Sequence, residues 1–464
     1  MRAREILFVV FVILFGLSIE SITGHRPWKH VRIDGRPVTG EYHEYTETKE
    51  EAVETTVPLR VENSNGDLVI RGWDQPRVSV QLRKRVYIDD EAKARQESDK
   101  VQIVFESQNG ETLLTSTRKA INRDGDLLET HFEITVPSSI ILKTVNRHGD
   151  TTLENMKTTD IEIREAYGDL IVKTITGNLK VLDEHSDIAI NDLTGNLILE
   201  NSYDDITLVG VSGDVKAKNN HGDVHIEQVG GSLELQADYG DVRIKRIAKD
   251  VTAVGDHSAI SAGDCAGNVT LRNSYQEVSA DNVSGDVQID GEHSPVSFRN
   301  IVGQVKATTS YKDVEGAAIK GFVEIEGEHT GVELRDISSG CTIKTSYSDV
   351  QVLEFDGKLD LTVHHGSSRL AARSAPSAPI AVRTEYGDVR LALPQSSQFQ
   401  LQAESLSGDV SVSFPMVNSF RTQQNQLVRM TGTSGALEGK GGATIEIRSS
   451  YGDVKVIAKG EGED

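Results

Sequence analysis

Apolar side chains recur every 18 residues through the middle of the chain. We number each 18-residue unit from its Tyr or His, position 0, beginning at Tyr167. Positions 3, 5, 8, 12 and 14 are apolar in all eleven units, except that Gly316 once holds position 5, and position 10 is Gly in nine of the eleven. Alternating apolar positions are typical of strands with one buried face, and Gly supplies the backbone freedom of tight turns. Each unit is therefore predicted to contain two short strands.

One unit cannot bury a strand face on its own, so successive units are predicted to stack. The predicted fold is all-β: a β-solenoid of 18-residue coils, with an N-terminal β cap and irregular C-terminal coils. The alternative is a β-propeller, because two units make 36 residues, enough for a four-stranded blade. Blades tolerate loops of different lengths, whereas the eleven units run without an insertion, which favours the solenoid. At about 4.8 Å per coil, the regular part forms a rod of about 50 Å.

Tyr and His alternate at position 0, so the full sequence period is 36 residues. We interpret these rings as one aromatic stack at a corner of the solenoid. The residue before the ring is mostly acidic in the His units, for example Glu184 and Glu292, and mostly Ser in the Tyr units. Like charges one coil apart repel by about 0.9 kcal/mol in water, and half as much at twice the distance. The alternation is therefore a device against stacked charge or the trace of a duplicated two-coil unit. The twelve ring positions are Tyr167, His185, Tyr203, His221, Tyr239, His257, Tyr275, His293, Tyr311, His329, Tyr347 and His365.

The repeat does not predict a metal site. Successive His rings lie two coils apart, about 9–10 Å, whereas zinc ligands converge to about 2 Å from one ion. Calcium-binding β-rolls also have half-repeats of about nine residues. The Gly-Asp-apolar motif of this chain, however, loses its Asp at Ala259, Pro295 and Gly331. We therefore predict no metal, no cofactor and no catalytic residue.

The chain leaves the 18-residue period at both ends. Residues 55–145 carry longer alternating stretches and are predicted to form an N-terminal sheet or sandwich that caps the regular solenoid, residues 146–371. Residues 372–458 are predicted to form irregular C-terminal coils and a cap, and residues 459–464 an acidic tail. Caps are expected because an exposed strand ladder invites pairing with another chain.

An apolar run from Ile6 to Ile19 follows two arginines near the start of the sequence. Its fourteen residues are too few to span a bilayer comfortably but suit the core of a signal peptide. Residues 1–24 are therefore predicted to be a signal peptide, with an uncleaved membrane anchor as the alternative, and residues 25–54 a linker. The predicted location is the periplasm, the cell surface or the extracellular space.

The chain of 464 residues carries a net charge of −22, from 49 basic and 71 acidic residues. This charge disfavours nucleic acid, whose phosphates need a basic surface, and stable docking on anionic lipid. Cys265 and Cys341 hold core positions about four coils, or about 19 Å, apart. A disulfide needs Cα atoms within about 7 Å, so both are predicted to be buried free thiols.

Several stretches resemble a known family: GDLVIRGWDQPRVSVQLRKR, FEITVPSSIILKTVNRHGDTTL, the serial GDV strands and GKGGATIEIRSSYGDVKV. They are similar to the bacterial family of β-strand-repeat adhesins, a domain of unknown function. The resemblance covers about residues 55–458. It implies a solenoid-like β domain on an exported or envelope protein, and it supplies no catalytic residues. The chain departs from the family in its strict 18-residue run and its Tyr/His alternation.

The function we predict is that of a non-enzymatic, exported envelope protein. It would be an adhesin or structural scaffold whose repetitive surface binds a repetitive partner, a glycan or an envelope protein. The alternative is a polysaccharide-active β-helix enzyme, a lyase or hydrolase, which needs carboxylates, or a carboxylate with Arg or Lys, on neighbouring coils. Asp204, Asp205, Glu184 and His185 are the candidates, but all lie on the repeating turns. A filament of coils stacked end to end is a third hypothesis, which the irregular ends and the net charge disfavour; the oligomeric state stays open.

Overall fold

The structure is a computed structural model in which almost all regular structure is β-strand. The predicted signal peptide, residues 1–24, and the end of the predicted acidic tail lie outside the described residues. The described residues are 32–33, 36–37, 42–120, 128–435 and 442–460.

The elements fall into three groups along the chain. The N-terminal group is β1 (Arg32–Ile33), β2 (Arg36–Pro37), β3 (His43–Ala52), β4 (Leu59–Asn63), β5 (Leu68–Trp73), β6 (Arg77–Val86), α1 (Glu91–Asp99), β7 (Ile103–Gln108), β8 (Glu111–Ser116), a 3₁₀ turn (Thr117–Ala120), β9 (Leu128–Pro137), β10 (Leu142–Asn146), β11 (Thr151–Arg164) and β12 (Leu170–Leu182). The regular group is β13 (Ile188–Thr194), β14 (Leu197–Asn201), β15 (Ile206–Val211), β16 (Val215–Asn219), β17 (Val224–Val229), β18 (Leu233–Asp238), β19 (Val242–Ile247), β20 (Val251–Asp256), β21 (Ile260–Cys265), β22 (Val269–Ser274), β23 (Val278–Val283), β24 (Val287–Glu292), β25 (Val296–Ile301), β26 (Val305–Ser310), β27 (Val314–Ile319), β28 (Val323–Glu328), β29 (Val332–Ile337), β30 (Gly340–Thr345), β31 (Val350–Phe355), β32 (Lys358–His365) and β33 (Ser368–Ala372). The C-terminal group is β34 (Ile380–Tyr386), β35 (Val389–Leu393), β36 (Phe399–Ser405), β37 (Val410–Val412), β38 (Met416–Gln424), β39 (Leu427–Ser434), β40 (Ala443–Tyr451) and β41 (Val454–Ala458).

The regular coils form a β-solenoid in which two parallel sheets lie back to back. From β13 to β33 each strand pairs in parallel with the next but one along the chain. Leu170 lies opposite Ile188, and Ile188 opposite Ile206, which is the 18-residue register that the sequence predicts. The solenoid, of about 14 turns, is therefore confirmed, and the β-propeller alternative is wrong.

The core lies between the two sheets and consists of the predicted apolar positions. The side chains at positions 3, 5, 8, 12 and 14 are at most 3% exposed in the regular units. Gly316 interrupts position 5 because a Cβ there would lie 2.3 Å from Cε2 of Phe298 and 2.7 Å from Cδ2 of Leu334. The large Phe298 ring thus takes the space that a side chain at residue 316 would need.

Both cysteines lie in this core as free thiols, as predicted. Burial raises the pKa of Cys265 to about 11 and that of Cys341 to about 12. Since the thiolate is the reactive form, these side chains behave as small apolar residues.

In many of the Gly-Asp motifs the Asp side chain binds the backbone of the next coil. At position 2, the Asp205 carboxylate accepts the N–H of Asp223 at 2.8 Å, and the Asp223 carboxylate accepts that of Asp241 at 2.9 Å. A second ladder runs along position 11, where Asp214 accepts the N–H of Ser232 at 2.8 Å. These carboxylates satisfy backbone donors that the turns leave outside the strand ladders.

The coils at the N-terminal end are out of sequence order. β4 and β5 pair in parallel with β10 and β11, and so already form a coil. On their other side they pair in parallel with β8 and β9, which come later in the chain but form the outermost coil. β6 adds antiparallel to β9, and β3 adds antiparallel to β6.

Two predicted boundaries therefore differ from the structure. The cap predicted for residues 55–145 consists of two solenoid coils with an antiparallel extension, not of a separate sheet or sandwich. Residues 43–52, assigned to the linker 25–54, form the strand β3, which pairs with β6 over its whole length. Its sequence is rich in charge because β3 is only half buried, and a half-buried strand tolerates charged side chains on its solvent face.

The coils at the C-terminal end are also out of sequence order. β34 and β35 pair in parallel with β40 and β41, the last strands of the chain. β36 and β37 pair on the far side of β40 and β41 and form the outermost parallel coil. β39 then adds antiparallel to β36, and β38 to β39. This arrangement is the irregular C-terminal end that the sequence predicts.

Position 7 has a left-handed backbone in every regular coil. Its φ lies between 55° and 77° in all eleven units, and only Gly210 among them is a glycine. Two residues separate positions 5 and 8, one more than in a regular strand. The left-handed residue at position 7 lets both side chains point inward, as in a β-bulge. A left-handed conformation costs a non-glycine residue about 1–2 kcal/mol, and the β-branched Thr174, at φ 55°, is among the least suited to it.

We expect Thr174→Gly to raise the free energy of unfolding by about 0.5–1 kcal/mol, because relief of the left-handed strain exceeds the entropy cost of Gly. The reverse change at the same position of another coil, Gly210→Thr, should lower it. Urea unfolding of the full chain, followed by circular dichroism, measures both. Equal effects of the two changes would contradict the assignment of strain.

Candidate functional site

A column of stacked aromatic rings runs along one corner of the solenoid. Fourteen consecutive pairs join fifteen rings from His148 to Tyr451, with centroids 4.5–5.6 Å apart and planes within 26° of parallel. The predicted stack from Tyr167 to His365 is confirmed. His148, Tyr386 and Tyr451 also belong to the column but were not predicted, because their spacing along the chain to the neighbouring ring departs from 18 residues.

The column presents ring edges, not ring faces, to solvent. Each inner ring is covered on both faces by its neighbours, while the tyrosines of the column remain 40–58% exposed. Stacking of a sugar or a base needs a free aromatic face. What the column offers instead is a row of phenol hydroxyls and imidazole edges, one per coil.

Beneath the column, the interior of each corner follows the 36-residue period. The residue after a His ring is mostly a buried Ser or Thr, and the residue two before it is often Gly. A Cβ at Gly327 would lie 2.6 Å from Thr330 Oγ1 and 2.7 Å from its Cβ, so the glycine makes room for the inward hydroxyl. The residue two before a Tyr ring is mostly an inward Asn or Thr. The buried members are Ser186, Ser258, Ser294 and Thr330 at His corners, and Asn201, Asn273, Thr309 and Thr345 at Tyr corners.

These side chains link the corners into a chain of hydrogen bonds, each donated to the corner before. Asn273 Nδ2 donates to Ser258 O at 2.5 Å, and Ser258 Oγ donates to Ala237 O at 3.0 Å. Thr345 Oγ1 donates to Thr330 O at 2.6 Å. The two corner types are complementary, so the 36-residue period has a structural cause inside the solenoid.

Repulsion between surface charges explains the 36-residue period less well than this internal packing does. Asp238 lies directly opposite Asp256 on the neighbouring coil, although that explanation requires acids to avoid adjacent coils. Asp256 also contacts His257, with Oδ1 3.0 Å from Nδ1. Internal packing is therefore the better explanation of the alternation.

An open groove of about 600 Å³ runs beside the column, between the outward side chains of positions 15 and 17. Lys344 Nζ lies 2.8 Å from Glu326 Oε1 in one wall. Among the described residues, the carboxylates of Asp290, Glu292 and Glu328 form no ion pair. We call this surface the axial groove. Its lining includes Asp290, Glu292, Glu326, Glu328, Lys344, Thr308, Ser310, Ser346, Thr362 and His364.

Three of the four candidate residues of the enzyme alternative have structural roles in the repeating turns, and the fourth, Glu184, is exposed. Asp205 belongs to the backbone-binding ladder, and Asp204 holds a left-handed turn at φ 74°. The His185 ring is stacked between Tyr167 and Tyr203. Within the described ranges, no three His, Cys, Asp or Glu side chains are grouped so as to hold a metal ion.

A partly buried charged cluster near the N-terminal end was not predicted. Nδ1 and Nε2 of His131 lie 3.1 Å from carboxylate oxygens of Asp67 and Glu129, respectively, and the Tyr87 hydroxyl donates to Glu129 at 2.9 Å. Burial opposes charge on His131, but its hydrogen bonds to the two acids outweigh this and raise its pKa. The cluster joins β9 to the turn before β5, and the out-of-order coils that bring these residues together leave no local sequence signal.

Comparison with known proteins relates this architecture to one family model. The model, described as Toastrack DUF4097, matches residues 57–289 and again residues 268–457. The crystal structure of "a putative cell adhesion protein from Clostridium sporogenes ATCC 15579" is similar with 9% sequence identity, over 89% of this chain and 100% of that chain, at a TM-score of 0.18. A search of the curated proteins found no match.

We expect Gly327→Ala to lower the free energy of unfolding by about 1–3 kcal/mol, because the new methyl group overpacks against Thr330. Gly263→Ala is the matched control: it is also a strand glycine, and its added Cβ would meet only Asp281 O, at 3.8 Å. The control should be neutral or slightly stabilising. Thermal and urea unfolding of both variants measure the difference, and a neutral Gly327→Ala would contradict the packing explanation of the 36-residue period.

Proposed function

Because this chain belongs to the Toastrack family, DUF4097, a β-solenoid domain of unknown function, we propose that it is a non-enzymatic scaffold or adhesin of the cell envelope. In this proposal it binds a repetitive partner along one side of the solenoid. The observation that carries the proposal is the axial groove, which runs parallel to the stack of coils beside the aromatic column. A groove built from repeating coils offers the same kinds of group at regular intervals, which suits a polymer better than a compact ligand.

An extended polysaccharide of neutral or amino sugars fits the groove best. Its walls carry carboxylates and hydroxyls, such as Glu292, Ser310 and Glu328, and such groups hydrogen-bond well to sugar hydroxyls and to ammonium groups. Anionic polysaccharides would meet the unpaired carboxylates and be repelled. A peptide strand is a poorer fit, because the strand backbones under the groove are already bonded to neighbouring coils and a bound peptide would find few main-chain partners.

Two observations support a binding role over the enzyme alternative. Lys344 and the acid on the neighbouring coil, Glu326, are already joined in an ion pair, so they do not offer a free acid and base. Of the acids singled out on the turns, Asp205 in addition serves a backbone ladder that holds the coils together.

Export is part of the proposal and depends on the apolar run of residues 6–19 acting as a signal. Among the described residues, no helix is long and apolar enough to cross a membrane. In this proposal the protein works in the periplasm, at the cell surface or outside the cell, where polysaccharides are accessible to it.

We expect the full chain to bind insoluble chitin or cellulose, and the double variant Glu292→Gln/Glu328→Gln to bind at least ten-fold more weakly. A ten-fold loss corresponds to about 1.4 kcal/mol, close to the contribution of one hydrogen bond to a charged group. Glu315→Gln/Glu333→Gln makes the same charge change at exposed residues of the other sheet and should bind like the parent. A depletion assay over a range of protein concentrations measures all three.

Polygalacturonate serves as the anionic comparison and should bind most weakly. Equal loss in the two double variants would show that the groove is not the binding surface, and preference for polygalacturonate would contradict the charge argument. Release of soluble sugars during the incubation would favour the enzyme alternative instead.

A further inference from the structure

The strand β38, at the C-terminal end of the solenoid, presents a phenylalanine ring to solvent. Phe420 is 71% exposed, whereas the other phenylalanines that the structure describes are buried or half-buried. A ring this exposed has a free face, which the stacked rings of the aromatic column lack. Phe420 thus offers the kind of surface on which a sugar ring can stack.

A β-bulge in β38 turns this ring outward. The register of β38 against β39 shifts by one residue just before Phe420, which therefore lies opposite Thr431. Without the extra residue, Phe420 would lie opposite Met430, whose side chain packs against the core. Asn418, inside the bulge, has a left-handed φ of 50°. Bulges re-aim side chains next to functional sites, and this bulge exposes a large apolar ring that the core could otherwise have covered.

Phe420 shares its face of the sheet with a small polar pocket on the neighbouring strands. Thr431 lies opposite Gln402 of β36, and Gln402 opposite Glu446 of β40. Directly opposed residues of a sheet point to the same side, and the exposure of Gln402 shows that this is the solvent side. A cavity of about 140 Å³ lies here, two strands or about 10 Å from Phe420. We call it the end pocket, and its polar side chains are those of Gln402, Glu404, Arg429, Glu446 and Arg448.

The charges of the end pocket balance one another. Arg429 Nη2 lies 2.9 Å from Glu404 Oε2, and Arg448 Nη2 lies 2.6 Å from Glu446 Oε1. Arg448 Nε lies 3.4 Å from the other oxygen of Glu404. Two arginines thus face two glutamates, so the pocket favours neither an anion nor a cation. Each guanidinium carries more N–H donors than these contacts use, and carboxylate oxygens accept more than one hydrogen bond.

The end pocket continues the line of the axial groove. Thr362, in the lining of the axial groove, lies opposite Arg383 of β34, and Arg383 lies opposite Arg448 of β40. Arg448 in turn lies opposite Glu404 of β36. The axial groove, the end pocket and Phe420 therefore follow one another along the outer face of one sheet.

We propose that Phe420 and the end pocket bind neutral sugar units of a polysaccharide at the C-terminal end of the axial groove. A sugar ring combines an apolar face of C–H groups with a rim of hydroxyls that both donate and accept hydrogen bonds. Phe420 supplies an aromatic face for the first, and the end pocket supplies paired donors and acceptors for the second. This inference rests on the proposed function, since it assigns a second site to the same polymer.

A strand of another protein fits this end less well. Among the described strands, β38 pairs only with β39, so its other edge is free. The bulge, however, interrupts the regular spacing of backbone groups along that edge, which is a common protection of edge strands against pairing with another chain. Phe420 also points to the face of the sheet and not along its edge.

The variant Phe420→Ala of the full chain tests the site in the depletion assay with insoluble chitin and cellulose. We expect about ten-fold weaker binding, because the free aromatic face is lost. The free energy of unfolding should hardly change, since Phe420 is a surface residue. Phe420→Tyr keeps the ring and should bind like the parent. Ile198→Ala removes another exposed apolar side chain, from β14 of the same sheet, and should also bind like the parent.

The variant Phe420→Trp gives a direct measurement of stacking. A sugar that stacks on the introduced indole excludes water from it, so soluble cellohexaose should shift its fluorescence emission to shorter wavelength in a saturable manner. The parent chain should show no such shift under the same conditions. A variant that binds cellulose like the parent without any shift would contradict stacking on this residue.

The outcomes separate this site from the axial groove. If Phe420→Ala binds like the parent while Glu292→Gln/Glu328→Gln loses binding, the axial groove stands and the site at Phe420 is wrong. Loss of binding in Phe420→Ala alone supports the site and removes the axial groove from the proposed function. Absence of polysaccharide binding by the parent overturns both. If Phe420→Ala changes only the oligomeric state in sedimentation, the ring is a contact between copies of the chain, and the inference fails.

Discussion

Backbone hydrogen bonds between successive coils are the constraint on which the rest of this protein depends. Every regular strand bonds to its equivalent one coil earlier and one coil later, in a parallel register of 18 residues. A one-residue slip would turn a whole apolar face toward solvent. Loops of variable length are therefore excluded from the regular part. Each side chain is held between the equivalent side chains of the two neighbouring coils.

This contact between equivalent residues of neighbouring coils determines how much of the structure could be predicted from the sequence. The core positions, the free thiols and the ring ladder could be predicted because each residue meets its own equivalent at a fixed spacing in the chain. The ends could not, because β8 and β9 pair with strands that precede them by dozens of residues, and no local pattern records which coil is outermost. β3 was missed because its solvent-facing charges resemble a linker.

The structure of the corners could also be predicted only in part. The alternation of Tyr and His is plain in the sequence, but its packing cause is not. Thr330 lies in the turn after β28, where the two-residue alternation of strands no longer tells which side chains point inward. Glu165 and Asp183, by contrast, continue the inward alternation of the strands before them, and their burial was not predicted because they are charged.

The exchanged order of the terminal coils has a mechanical consequence. β41, the last strand, lies between β35 and β37, with a parallel neighbour on each side. Tension applied to the end of the chain cannot peel an outer coil away one bond at a time, and must shear two ladders together. At the other end, β3 can unzip from β6, but the force then reaches β4, which is enclosed between β8 and β10. The rod is thereby protected against unravelling from either terminus.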